Sequence, residues 1–240
     1  MALTGTHITT NGSTTDTTSY NSAGFTPGAD ELVMVAIASG LPSIDTGYDP
    51  TLSGGGLGAG WTQLGTRLEP VANHHFFHAF WGISSSPGAS AALNFSWPAT
   101  MAYCLWSIMK FAGVDPTTPL IVANTDGAAV SAASHTLTLP NAFGHADNGV
   151  WLGAGSPNNR TYTDEDAGSG TWLTAGQAGF AGQGSVFSSY RLSNDSSPAW
   201  SVNTSAVMAG RAVEIKAAQA ATTSLPGQTR RDRIRILTRR

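Results

Sequence analysis

The chain has 240 residues, 41% of them hydrophobic, which is enough apolar material for one substantial β domain or two small ones. Only 11% are charged, while Gly (28 residues), Ser, Thr and Ala dominate, so the composition argues against a helical protein and for strands joined by many turns. The net charge of −3 divides unequally: residues 1–229 hold six Lys or Arg against fourteen Asp or Glu, a balance of −8, and residues 230–240 hold six Arg against Asp232, a balance of +5.

Apolar runs of strand length predict strands near 3–10, 31–39, 61–68, 74–82, 90–96, 102–112, 134–139, 148–155, 171–175, 185–192, 199–203 and 206–216, with Gly, Pro, Asn and Ser clusters between them. Leu3 to Thr10 alternates with polar residues, as a half-exposed edge strand does. Ala102 to Phe111 is apolar on both faces, as expected of a central strand covered on both sides. No segment reads as a helix. So many strands require closure or stacking, which makes an all-β, jelly-roll-like β-sandwich the economical architecture. Residues 1–217 carry this pattern, residues 218–229 are small and polar with a Pro226-Gly227 break and read as a linker, and Arg230 to Arg240 form an extended basic C-terminal arm.

The pattern repeats. Residues 28–39 (GADELVMVAIAS) align without gaps on 145–156 (HADNGVWLGAGS), matching Ala29 with Ala146, Asp30 with Asp147, Val33 with Val150 and Ser39 with Ser156. Each copy continues with a Gly-rich loop carrying Trp61 or Trp172, an aromatic strand, a Ser-Pro turn, a short strand with Trp97 or Trp200, and a long strand ending at Lys110 or Lys216. The expectation is two similar halves, about 25–113 and 144–217.

The run ADELVMVAIAS, the loop with GAGWTQL, then FFHAFWGISSSPGASAALNFSW and LWSIMKFAGVDPTTPL, with AVMAGRAVEIKAA closing the second half, resembles jelly-roll-like modules of tailed-bacteriophage virion proteins and of some bacterial surface proteins. The resemblance spans roughly residues 25 to 217. It implies a particle component, a capsid decoration or minor tail protein with other virion proteins (capsid or tail subunits) as partners, expected to be a homo-oligomer, and it names no catalytic residue. MALTGTHITTNGSTTDTTSY has no basic n-region and no apolar h-region, and no apolar run reaches the ~18 residues of a membrane span. Synthesis in a host cytoplasm and residence in the virion are therefore expected.

Candidate chemistry is sparse. Cys104 is the one cysteine, which excludes an intramolecular disulfide and a cysteine zinc site, and its apolar neighbours make it a core residue. His74, His75 and His78 form the only histidine cluster, but on a strand His74 and His78 share a face about 13 Å apart and His75 takes the other, so they do not share a metal. Asp164-Glu165-Asp166 is the densest acidic patch, without the spacing of a known calcium loop, and reads as a solvated turn. Gly54 to Gly60 has a nominal dinucleotide-loop pattern with no helix after it, and reads as a loop between strands. There is no Gly-x-Ser-x-Gly elbow and no P-loop. The expectation is a protein that is not an enzyme and needs no cofactor or metal.

Two binding features remain. In the arm, Arg230, Arg231, Arg233, Arg235, Arg239 and Arg240 surround Ile234, Ile236 and Leu237; an extended chain sends the isoleucines to one face, which suits a strand added to the edge of a partner's sheet. Nucleic acid is the less favoured partner of those arginines. Trp61 and Trp172, at equivalent loops, could stack on sugar rings, so a carbohydrate- or receptor-binding module is the alternative to a virion structural role.

Overall fold

A computed structural model describes residues 2–43, 47–57, 60–71, 74–85, 88–126, 130–140, 143–165, 173–193 and 195–219. They form strands and turns. The first half holds β1 (Thr4–Ser13), β2 (Thr17–Asn21), β3 (Leu32–Gly40), β4 (Thr51–Gly54), β5 (Thr62–Gln63), β6 (Leu68–Val71), β7 (His75–Ile83), β8 (Leu93–Met101) and β9 (Tyr103–Ala112). The second holds β10 (Leu120–Asp126), β11 (Val130–Thr136), β12 (Gly149–Ser156), β13 (Tyr162–Glu165), β14 (Leu173–Phe180), β15 (Gly184–Arg191) and β16 (Ala199–Ile215).

In the first half a large antiparallel sheet runs β1-β9-β3-β7-β5, with β6 also beside β7, and a small sheet runs β2-β8-β4. The second half repeats this order. Its large sheet is β10-β16-β12-β15-β14, and the first part of β16 lies between β11 and β13. Thus β16 does alone what β8 and β9 do together. In both halves successive strands pass between large and small sheet, the winding of a jelly roll. The repeated order begins at β1 and β10, upstream of the segments that match in sequence.

Each half closes its own sandwich, and the two stack through their large sheets, giving four layers and three apolar cores. All nine residues of β3 are buried: Val33, Val35 and Ile37 face the first outer core with Phe95, Trp97 and Trp106, while Leu32, Met34, Ala36 and Ala38 face the middle one. Opposite them stand Trp151, Val186, Tyr190, Val213 and Ile215 of the second half. The second outer core holds Leu152, Phe187, Trp200 and Met208. Trp106 and Val213 are both buried, in different cores.

Small residues let the two large sheets approach. A Cβ on Gly153 would stand 3.1 Å from the Cβ of Ala36, and one on Gly155 would stand 3.1 Å from the Cβ of Ala38. These are the positions that the sequence match pairs, so the halves meet through equivalent residues, as protomers of a two-fold dimer do. A hydroxyl chain crosses the same interface: Thr10 Oγ1 lies 2.9 Å from Ser107 Oγ, which lies 2.6 Å from Ser188 Oγ.

The long apolar strands fall where the sequence predicts them. The stretch 61–68 is instead split into β5 and β6, and 134–139 is displaced to β11 at Val130–Thr136. The expected strands at 199–203 and 206–216 are one, β16, whose exposed Asn203, Thr204 and Ser205 fall at a register shift in its pairing with β11, between Ser201 and Ala206. Strands β2, β4 and β13 carry no apolar run, and β10, whose Leu120–Ala123 is apolar, lies outside the expected strands as they do.

Candidate docking surface

The chain leaves the described body at one pole. Val114 bridges Ala217, Asp115 N–H donates to Lys216 O (2.9 Å), Lys216 N–H to Pro119 O (2.8 Å), and Ala218 N–H to Gly113 O (2.8 Å). Gly113 has φ +75° and sits so close to Ala2 that a Cβ would be 2.3 Å from the Ala2 carbonyl oxygen; both conditions call for glycine. Asp115 fastens the turn that follows, accepting from the Thr117 and Thr118 amides and pairing with Lys216 Nζ at 2.7 Å. The lysine and the two amides pull its carboxyl down to about 2.

This 113–119 connection forms one wall of an open groove of about 420 Å³, through Pro116, Thr117 and Pro119. The other wall is Gly60, Trp61, Thr62, Trp81, Gly82 and Ile83. Trp61 is placed by a turn of three left-handed glycines, Gly54, Gly55 and Gly56 (φ +79°, +73° and +71°). Its indole N–H donates to Gly54 O (3.2 Å), and its ring packs where a Gly55 side chain would stand. Trp61, Trp81 and Ile83 are each half-buried. At the groove floor Ser84 N–H donates to Glu31 O and Ser84 O accepts from Asp30 N–H, both towards the β3 side. By the alternation of an antiparallel strand, the N–H and C=O of Ile83 face outward. Strand β5 stops short of them, pairing only with Trp81 and Phe80, so no described strand pairs with that side of Ile83.

Of the residues singled out in the sequence, Trp172 and the whole arm (Arg230, Arg231, Arg233, Ile234, Arg235, Ile236, Leu237, Arg239 and Arg240) lie outside the described residues, as do Gly58, Ala59 and Asp166. Trp61 is in the groove, beside Trp81 rather than alone. In the sequence Trp81 has no role beyond its strand, and Pro116 and Pro119 none at all; only the fold brings these segments together.

The histidines serve packing. His75 Nδ1 is 2.8 Å from Tyr103 OH, and burial followed by the charge of His74 lowers its pKa to about 4. His78 is fully buried on the opposite face of β7, with Nδ1 3.5 Å from Asp49 Oδ1; burial lowers its pKa despite the carboxylate. Asp49 lies in a polar hollow with Gln63, Thr66, Arg67 and Glu69, where Arg67 pairs with Glu69 at 2.9 Å and stacks on Phe76. Arg211, from the second half, reaches across to the Thr66 carbonyl. Among the described residues no three His, Cys, Asp or Glu side chains are grouped to hold a metal. Cys104 is buried, which raises its thiol pKa well above the ordinary value. No helix of the described residues is long and apolar enough to cross a membrane.

The fold thus defines an all-β protein of two stacked jelly-roll sandwiches. No protein-family model matches the chain, and no curated protein or solved structure matches it significantly.

Proposed function

We propose that this chain is a non-enzymatic structural protein of a virion, a capsid decoration or minor tail protein of a tailed phage, attached to neighbouring subunits through residues 230–240. The observation that carries the reading is the state of the sheet edges. Strands β1, β10 and β14, of 7 to 10 residues, end the large sheets, and no described strand pairs with their outer sides. Long open edges are sites of strand addition that a monomer ordinarily shortens or covers. The charged side chains support the same role, because they tie the body together: Arg191 to Asp195, Lys110 to Glu31, Lys216 to Asp115, and Glu214 to Asn148 and the Gly144 amide. The virion assignment itself rests on analogy with jelly-roll capsid modules. Immunogold labelling of particles released by cells that encode the protein tests it. Regular decoration of capsid or tail is expected, and recovery of the protein only away from particles would overturn it.

A second reading has one observation in its favour, the two indoles that line one open groove, a feature that suits a sugar ring. A glycan array compared with Trp81→Ala tests that carbohydrate- or receptor-binding alternative.

A further inference from the structure

We propose that Asn11 is a self-modification site, where the carboxamide is converted to a carboxylate through a cyclic imide closed by the Gly12 nitrogen on the outer edge of β1. The inference goes beyond the structural role proposed above and does not depend on it.

The chain holds two Asn-Gly pairs, Asn11-Gly12 and Asn148-Gly149, and glycine, having no Cβ, leaves its nitrogen the least obstructed path to the preceding side chain. The fold treats the two pairs in opposite ways. Leu41 N–H donates to His74 O, so the odd-numbered residues of β3 turn their backbone groups to β7 and the even-numbered ones to β9. Opposite those even-numbered residues stand Tyr103, Leu105 and the other odd positions of β9. Cys104 and Trp106 are thereby turned to β1, where they pair with Ser13 and Asn11. Gly12, between the two, directs its N–H outward, away from β9. There it donates to Oδ1 of exposed Asn11 at 2.8 Å, so the nitrogen already lies beside the carboxamide it attacks.

Asn148 is held fast. It is buried, its Nδ2 donates to Glu214 Oε1 (2.6 Å), and its Oδ1 accepts from Ala217 N–H (3.0 Å). Lys216 N–H donates to Pro119 O on the β10 side, so Ile215 turns to β12 and engages the Gly149 amide. Closing an imide swings the asparagine carbonyl out of its place. At Asn11 that opens the last two bonded pairs of an edge strand, whereas at Asn148 it opens the start of an interior strand and breaks both side-chain bonds.

The reaction takes in water and releases ammonia, with no change of oxidation state. Hydroxide removes the Gly12 amide proton, the N–Cγ bond forms, the Cγ–Nδ2 bond breaks, and Nδ2 leaves as ammonia after taking a proton from water. Water then cleaves either imide bond: release of Cγ gives the aspartyl product, and release of the Asn11 backbone carbonyl gives the isoaspartyl product, whose main chain is one methylene longer. Strand β1, TGTHITTNGS, carries no Asp, Glu, Lys or Arg, and the new carboxylate supplies the charge with which exposed edges are ordinarily blunted.

The test is peptide mapping by mass spectrometry of the full chain kept at pH 8.5 and 37 °C, folded and, in parallel, unfolded in guanidinium chloride. In the folded protein Asn11 should convert at least about tenfold faster than Asn148, giving aspartyl and isoaspartyl products, and in denaturant the two should convert at comparable rates. Asn11 unchanged in the folded chain, over a time in which it converts in denaturant, would overturn the proposal, because the strand would then protect it. Equal rates for the two asparagines in the folded chain would also overturn it, since the reaction would run through global unfolding. An aspartyl product alone would rule out the imide.

Discussion

Ser107 is the residue on which the contact between the halves turns. It sits fully buried on β9, between Thr10 on the edge strand and Ser188 on β15, and each hydroxyl in this line is the other's partner. Ser107→Ala leaves the Ser188 hydroxyl buried without that partner, at a cost of about 1–3 kcal/mol. The double substitution Ser107→Ala/Ser188→Ala should cost less than the sum of the two singles, and a double-mutant cycle by urea unfolding measures the difference. The histidines give a pH dependence. His75 has its pKa lowered to about 4 by burial and by His74, and His78 is lowered by burial. Between about pH 6.5 and 4 the unfolded chain takes up protons that these folded imidazoles refuse. Their contribution is therefore fully present above about pH 6.5 and is lost as pH falls towards 4. Thermal unfolding at pH 7.5, 6, 5 and 4.5 should show Tm decreasing through this window, with a shallower decrease in His75→Gln. An unchanged slope would remove His75 from the account.

At the scale of the strand, what the sequence reveals depends on how many faces a strand buries. Strands β3, β7, β9, β12 and β15 bury nearly every side chain, so their apolar runs are unmistakable and all were expected. Strand β2 reads TTSYN and β4 reads TLSG; each pairs only with β8 and turns one large side chain, Tyr20 or Leu52, into the outer core. One apolar residue in four or five makes no period. The groove was half legible for a related reason. A tryptophan after a glycine run marks Trp61, but Trp81, Ile83 and Pro119 join it through pairings and turns that local pattern does not encode. Where sheet packs on sheet, side-chain size sets the spacing. Gly155→Ala would bring its methyl to 3.1 Å from Ala38 Cβ and 2.9 Å from Phe77 Cδ2, closer than ordinary contact. A loss of about 1–3 kcal/mol is expected, read as a lower urea midpoint. Gly182→Ala, where nothing lies within 4 Å, isolates the packing effect: it should cost only the backbone strain of φ +76°.

The molecule as a whole should unfold in one step. The middle core is built from Leu32, Met34, Leu105 and Phe111 on one side and Trp151, Tyr190, Val213 and Ile215 on the other, so neither half can lose its partner without exposing a largely apolar sheet face. A single calorimetric transition is expected for residues 1–217, and a fragment 1–125 should be insoluble or unfolded; two resolved transitions, or a stable fragment, would mean independent domains. The arrangement of the exit pole also has a mechanical side. The polypeptide runs out of the body directly from β16, a 17-residue strand flanked along its last turn of sequence by β10 and β12. Tension on the C-terminal segment acts along the axis of that strand and loads its hydrogen bonds in shear, many at once. The same tension at the opposite end falls on β1, which has only β9 as a neighbour in its sheet. A pull on residues 220–240 is therefore carried into the interior of the second half's large sheet instead of peeling an edge away.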